Sequence, residues 1–134
     1  MKKYLMILIA LIGFSSNVFC QNVKADAVNM NSGRVSGGVF IESMKFTVHV
    51  QLTGDMLTYL NNGGAVNVTV SCNNVGLTSS VLKSSNTITI DKRWGGQADF
   101  GRGGVEFEFS SKENRDLWKN KLSTGQFSVS ASKK

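Results

Sequence analysis

AVNVTVSC, from Ala65 to Cys72, is the stretch on which the fold turns. Val66, Val68, Val70 and Cys72 share one parity and Asn67, Thr69 and Ser71 the other. An extended backbone therefore puts every apolar side chain on one face and every polar one on the opposite face. A strand of this kind rests on a core with one side and meets water with the other. Cys72 falls on the inward parity, and a free thiol packs as a small hydrophobe, which makes it a buried structural residue.

The same alternation continues in both directions. Upstream, Met44, Phe46, Val48, Val50 and Leu52 alternate with Lys45, Thr47, His49 and Gln51. Val39 and Ile41 have the other parity, so a bulge or a new strand is expected near Glu42 and Ser43. Val23 to Val28 forms a short first strand, and NMNSG (Asn29 to Gly33) is rich in turn residues. Downstream, Val75 to Leu82 gives a weaker strand signal and Thr87 to Asp91 a clearer one, with Ile88 and Ile90 inward. Val105, Phe107 and Phe109 alternate with Glu106 and Glu108, and Phe127, Val129 and Ala131 make a last strand. The chain contains no proline and is rich in β-branched residues punctuated by Gly and Asn, the composition of strands joined by turns.

Two segments change period. In TGDMLTYLNNGG (Thr53 to Gly64), Thr53 or Asp55 can cap a helix, Leu57 and Leu60 fall at helical spacing, and Gly63 can end it in the left-handed conformation. Ser110 lies three residues before Glu113, a capping-box spacing, ahead of Leu117, Trp118 and Leu122, with Gly125 as the stop. Trp118 and its leucines form a narrow apolar stripe for a sheet to cover, so Trp118 is assigned to the core. Both segments join one strand to another and both end Leu-x-x-Gly-strand, at Leu60 to Gly63 and Leu122 to Gly125. A duplicated strand-helix-strand unit would suit the two ends of a β-sandwich. The expected fold is therefore mainly β: an antiparallel sandwich, immunoglobulin-like in general architecture, with two short helices connecting strands.

RWGGQADFGRGG, Arg93 to Gly104, resists this scheme. It carries five of the fourteen glycines together with Arg93, Trp94, Phe100 and Arg102, between two strands. Trp94 has the parity of Ile88 and Ile90 and so could be core, whereas Phe100 belongs to no strand. Aromatic and arginine side chains on a loop are the residue types of binding hot spots. Arg93, Trp94, Phe100 and Arg102 are the candidate binding residues. The loop is no phosphate cradle, because no Lys-Ser/Thr follows it and the next segment is a strand.

Catalytic and metal schemes find little support. His49 is the only histidine and lies on the polar parity of its strand, no G-x-S-x-G nucleophile elbow occurs, and a Cys72–His49 dyad would need an inward sulfur to meet an outward ring. One histidine and one retained cysteine cannot fill a four-ligand zinc site without several carboxylates, and NMNSG offers calcium only neutral side chains. Glu106 and Glu108, about 7 Å apart along a strand, read as polar-face alternation. No catalytic residue, metal or cofactor is expected.

At the N-terminus, Lys2 and Lys3 precede an apolar run from Tyr4 to Phe14, followed by polar Ser15, Ser16 and Asn17. These are the parts of a secretory signal peptide, and the run is too short to span a bilayer, which takes roughly 20 apolar residues. In SNVFCQN (Ser16 to Asn22), Phe19 occupies the place where a lipobox wants a small residue, so cleavage after Cys20 is preferred to lipidation. Residues 1–20 are thus a signal peptide and 21–134 one β-rich domain, secreted or periplasmic. A Cys20–Cys72 disulfide would require cleavage upstream of Cys20. Without Lys2 and Lys3, thirteen basic residues face nine acidic ones, a net charge of +4 spread along the chain. No basic run of nucleic-acid type is present.

These readings converge on an exported, non-catalytic binding protein of the cell envelope or extracellular space, acting on a protein or glycan, in its sharper form an inhibitor or immunity protein. The alternatives are a structural or self-assembling surface subunit and a small envelope hydrolase using Glu106 or Asp99.

Overall fold

The computed structural model describes residues 22–76 and 78–134; the expected signal peptide and Cys20 lie outside them. AVNVTVSC supplies β5 (Val66–Ser71), whose residues alternate between buried and half-buried as the parity requires. It is the middle strand of an antiparallel sheet, between β6 (Ser85–Ile90) and β8 (Ser128–Lys133). A second three-stranded antiparallel sheet places β4 (Lys45–Leu52) between β1 (Val23–Met30) and β7 (Arg102–Glu108). β2 (Gly33–Ser36) and β3 (Val39–Glu42) form a separate antiparallel hairpin between β1 and β4. The fold is mainly β, with three antiparallel sheets and two helices.

The inward parity of both larger sheets feeds one core. Phe46, Val48, Val50, Leu52, Val105 and Phe107 come from the first sheet, Val66, Val68, Val70 and Ile90 from the second, and all are buried. Cys72 is fully buried beside them, and its thiol donates to the Ser84 carbonyl at 3.2 Å. Trp118 is also fully buried and lies against Phe46 at 4.8 Å between ring centroids, with Phe109 edge-on at 5.8 Å. Phe107 and Phe127 complete this aromatic group around Phe46. Aromatic pairs contribute about 0.5–1.5 kcal/mol beyond the area they bury.

Each helix carries the chain from the first sheet to the second. α1 (Gly54–Asn61) joins β4 to β5, and α2 (Lys112–Trp118) leads from β7 toward β8. Because β4 and β7 run antiparallel, with Lys45 opposite Glu108, their C-terminal ends and the two helices lie at opposite ends of the sheet. α1 buries Leu60 and is closed by Gly63 at φ +96°, as the sequence predicts.

Several expectations are corrected. α2 is capped one residue later than predicted: Ser111 accepts from the Asn114 backbone N–H, while the Ser110 hydroxyl is engaged with the Ser80 carbonyl and the Asn114 side chain. The reciprocal Ser110–Glu113 box does not form. The helix stops at Trp118, so Leu122 lies beyond it, and Leu117 faces solvent instead of joining the stripe. The described residues of Val75 to Leu82 form no strand: Val75 ends a 3-10 turn (Asn73–Val75), Thr78–Ser80 forms a second, and Val81 makes an isolated bridge to Phe109. The phase break at Glu42 and Ser43 is the start of a new strand, β4, one of the two outcomes expected there, and a separate bulge lies in β1 at Asp26, between Ala25 and Ala27. NMNSG is split, with Asn29 and Met30 ending β1 and Gly33 opening β2.

Candidate functional site

The chain leaves β6 at Asp91 and makes two 3-10 turns, Lys92–Trp94 and Gly96–Phe100, before entering β7. Asp91 starts the first turn. Its carboxylate accepts the Arg93 backbone N–H at 3.0 Å and the Arg93 guanidinium through both Nε and Nη2, while its carbonyl accepts from Trp94 at 3.0 Å. These hydrogen bonds from the Arg93 side chain and backbone hold the Asp91 carboxyl at about 2, below its ordinary 3.8. The Asp91 side chain is buried, and the guanidinium that covers it is largely exposed.

The second turn is tied to the end of β4. Gln51 Nε2 donates to the Phe100 carbonyl at 2.8 Å and to the Leu52 carbonyl at 2.9 Å, and Gln51 Oε1 accepts from Arg102 Nε at 2.7 Å. The Leu52 backbone N–H donates to the Gly101 carbonyl at 2.8 Å. Gly101 turns back toward the body at φ +72°, where an added Cβ would stand 2.8 Å from Leu57 Cδ1. The loop is thus fastened at both ends by side chains that reach its backbone.

This fixed backbone holds its two aromatic rings outward. Trp94 is 66% exposed and Phe100 72% exposed. The parity of Trp94 with Ile88 and Ile90 does not survive, because strand geometry ends at Asp91 and the first 3-10 turn rotates the indole out of the sheet register. Trp94 and Arg102 line one concavity of about 440 Å³ with Ile88, Ile90 and Ala98. Arg102 also reaches a smaller hollow of about 110 Å³ beside Asp26, His49 and Gln97. The structure therefore groups Trp94 with Arg102, leaves Phe100 on the adjoining turn, and uses Arg93 to brace Asp91.

Sequence reasoning missed Asp91 and Gln51. Asp91 stands where an N-cap would, immediately before a basic pair, which is a usable signal; Gln51 has only its polar parity to mark it. His49 lies on the outward parity, opposite Gly104, and is half-buried rather than fully exposed. Glu106 accepts from Asn31 at 3.3 Å, and among the described residues no group of three or more His, Cys, Asp or Glu could hold a metal ion. No helix among the described residues is long and apolar enough to cross a membrane. The chain matches no family model, no curated protein and no solved structure.

Proposed function

We propose that the protein is an exported, non-catalytic binding protein of the cell envelope or extracellular space that engages a protein or glycan through the Arg93 to Gly104 stretch. The observation that carries this reading is the pairing of two exposed aromatic rings with a backbone tied down from both sides. Rings kept in water cost solvation, and a loop ordered before contact loses little entropy on binding. Trp94 offers an apolar face and an indole N–H, and Arg102 beside it offers a planar donor group, a combination suited to a protein surface or to a sugar ring. In this reading the two larger sheets form a small sandwich, immunoglobulin-like in general architecture, which holds the loop at one end. Export follows from the signal-peptide pattern of residues 1–20. An inhibitor or immunity role is the sharpest form of the proposal, with affinity on the order of nanomolar.

The test is a quantitative pull-down from the envelope and extracellular fractions with the wild-type chain, Trp94→Ala and Phe100→Ala. One protein or glycan is expected to be enriched by wild type and depleted at least tenfold with each variant. Both substitutions remove exposed groups, so stability is expected to change by no more than about 0.5 kcal/mol. Equal capture by all three chains would refute the assignment of the loop.

A further inference from the structure

The β2–β3 hairpin is the other exposed apolar feature, and it lies at the far end of the first sheet from the loop. β4 begins beside it, the Leu52 end of β4 meets Gly101, and Arg115 of α2 grips its base by donating to the Ser43 carbonyl at 2.9 Å and pairing with Glu42 at 3.3 Å. All eight residues of β2 and β3 are exposed. Val35 is 70% exposed, Val39 64%, Phe40 56% and Ile41 46%. The register pairs Val35 with Phe40, Arg34 with Ile41 and Ser36 with Val39. Val35 and Phe40 therefore share one face of the ribbon, and Val39 and Ile41 the other. The tip, Gly37–Gly38, has positive φ at both residues, +59° and +79°, as a tight two-residue hairpin turn requires.

Among the described residues no third strand joins this ribbon. Two strands alone are marginal in water, and three or more with an apolar face are needed for independent stability. Among the described residues β2 and β3 pair only with each other, so each keeps an outer edge of N–H and C=O groups that no described strand meets. Residues 33–42 contain no proline and no lysine, two residues that commonly guard such edges.

We propose that this hairpin docks on the same hairpin of a second copy, through β3, in a closed two-fold dimer. Lipid could cover the valines but cannot satisfy the strand edges. A two-fold axis runs identical strands antiparallel, so β3 against β3 satisfies both edges at once and yields a four-stranded ribbon. Charge selects the edge. Joining β2 to β2 would bring Arg34 against Arg34 of the second copy, and like charges across strands repel. β3 presents Val39, Phe40 and Ile41, and its one charge, Glu42, is already paired with Arg115. Arg34 on the remaining β2 edge disfavours further addition and keeps the assembly closed. Exposed Leu82 and Leu117 border the same end, since Leu82 donates its backbone N–H to the Glu108 carbonyl and Leu117 lies on α2. β3 offers a contact of four residues, small beside the roughly 1,200 Å² at which specific, stable interfaces begin, so a weak, concentration-dependent dimer is expected.

The test is sedimentation velocity of the mature chain from about 1 µM to about 1 mM, a range that covers weak association. A monomer–dimer equilibrium is expected, weakened at least tenfold by Phe40→Asp and by Ile41→Lys and left unchanged by Trp94→Ala at the opposite end. Neither hairpin variant touches the core, and an unchanged melting temperature confirms that it folds. A second readout is Ile41→Cys, which is expected to give a covalent dimer on mild oxidation. A monomer at every concentration, a dimer indifferent to Phe40→Asp, or polymers that grow with concentration would each overturn the proposal. So would a monomer that instead binds phosphatidylglycerol vesicles in a Phe40-dependent way. Loss of pull-down by the loop variants with the dimer intact would separate this proposal from the one above.

Discussion

Asp91 shows how a single side chain can set a loop. It is buried, its charge is met by Arg93, and its carboxyl titrates near 2. A carboxylate whose folded pKa lies below its unfolded value of 3.8 adds stability above that value and loses it as pH falls toward 2. Wild type is therefore expected to lose stability between pH 4 and pH 2 at this position, and Asp91→Asn to flatten that part of the profile in thermal melts. Thermal midpoints that fall in parallel for both chains would contradict the assignment. Residues on a regular strand were legible at this scale: Cys72 and the valines of β5 are buried as their parity requires. Trp94 was not, because parity has meaning only while the backbone stays extended, and Asp91 ends that regime three residues earlier.

Among the elements, α2 offers the sharpest test of a corrected reading. Ser111→Ala removes the hydroxyl that accepts from Asn114 and is expected to cost about 1 kcal/mol in chemical unfolding. Glu113→Ala, which the capping-box spacing alone would make equally harmful, is expected to cost less than half of that. The sequence pattern placed the helix but shifted its cap, since Ser110 and Ser111 are equally good caps and tertiary contact with Ser80 draws Ser110 away. The hairpin was missed for a different reason. Its signal, SGGV flanked by alternating residues, was present, yet neither strand has a buried face, so parity could not reveal it. Val75 to Leu82 erred the other way: Val75 ends a 3-10 turn, Val81 makes a single bridge to Phe109, and Leu82 is exposed.

Over the described residues, two ends carry two kinds of surface: exposed aromatic rings on a tied backbone near Gly101 and a two-stranded apolar ribbon near Arg115. The strand-helix-strand layout read from the sequence correctly anticipated that each helix would bridge two strands. The order β1-β4-β7 and β6-β5-β8 was not legible, because alternation fixes which face is inward and says nothing about which strand lies alongside. The route by which both helices cross between sheets has a kinetic consequence. β1 with β4, β4 with β7, and β5 with β8 are all distant in sequence, so little of either sheet can assemble from local contacts. Refolding is expected in milliseconds to seconds, the slow end for a domain of this size. A chain without proline has no prolyl isomerisation to wait for, so stopped-flow refolding should reach completion without a trailing phase of tens of seconds. The unfolded chain can then become native in one cooperative passage, its speed set by strand topology alone.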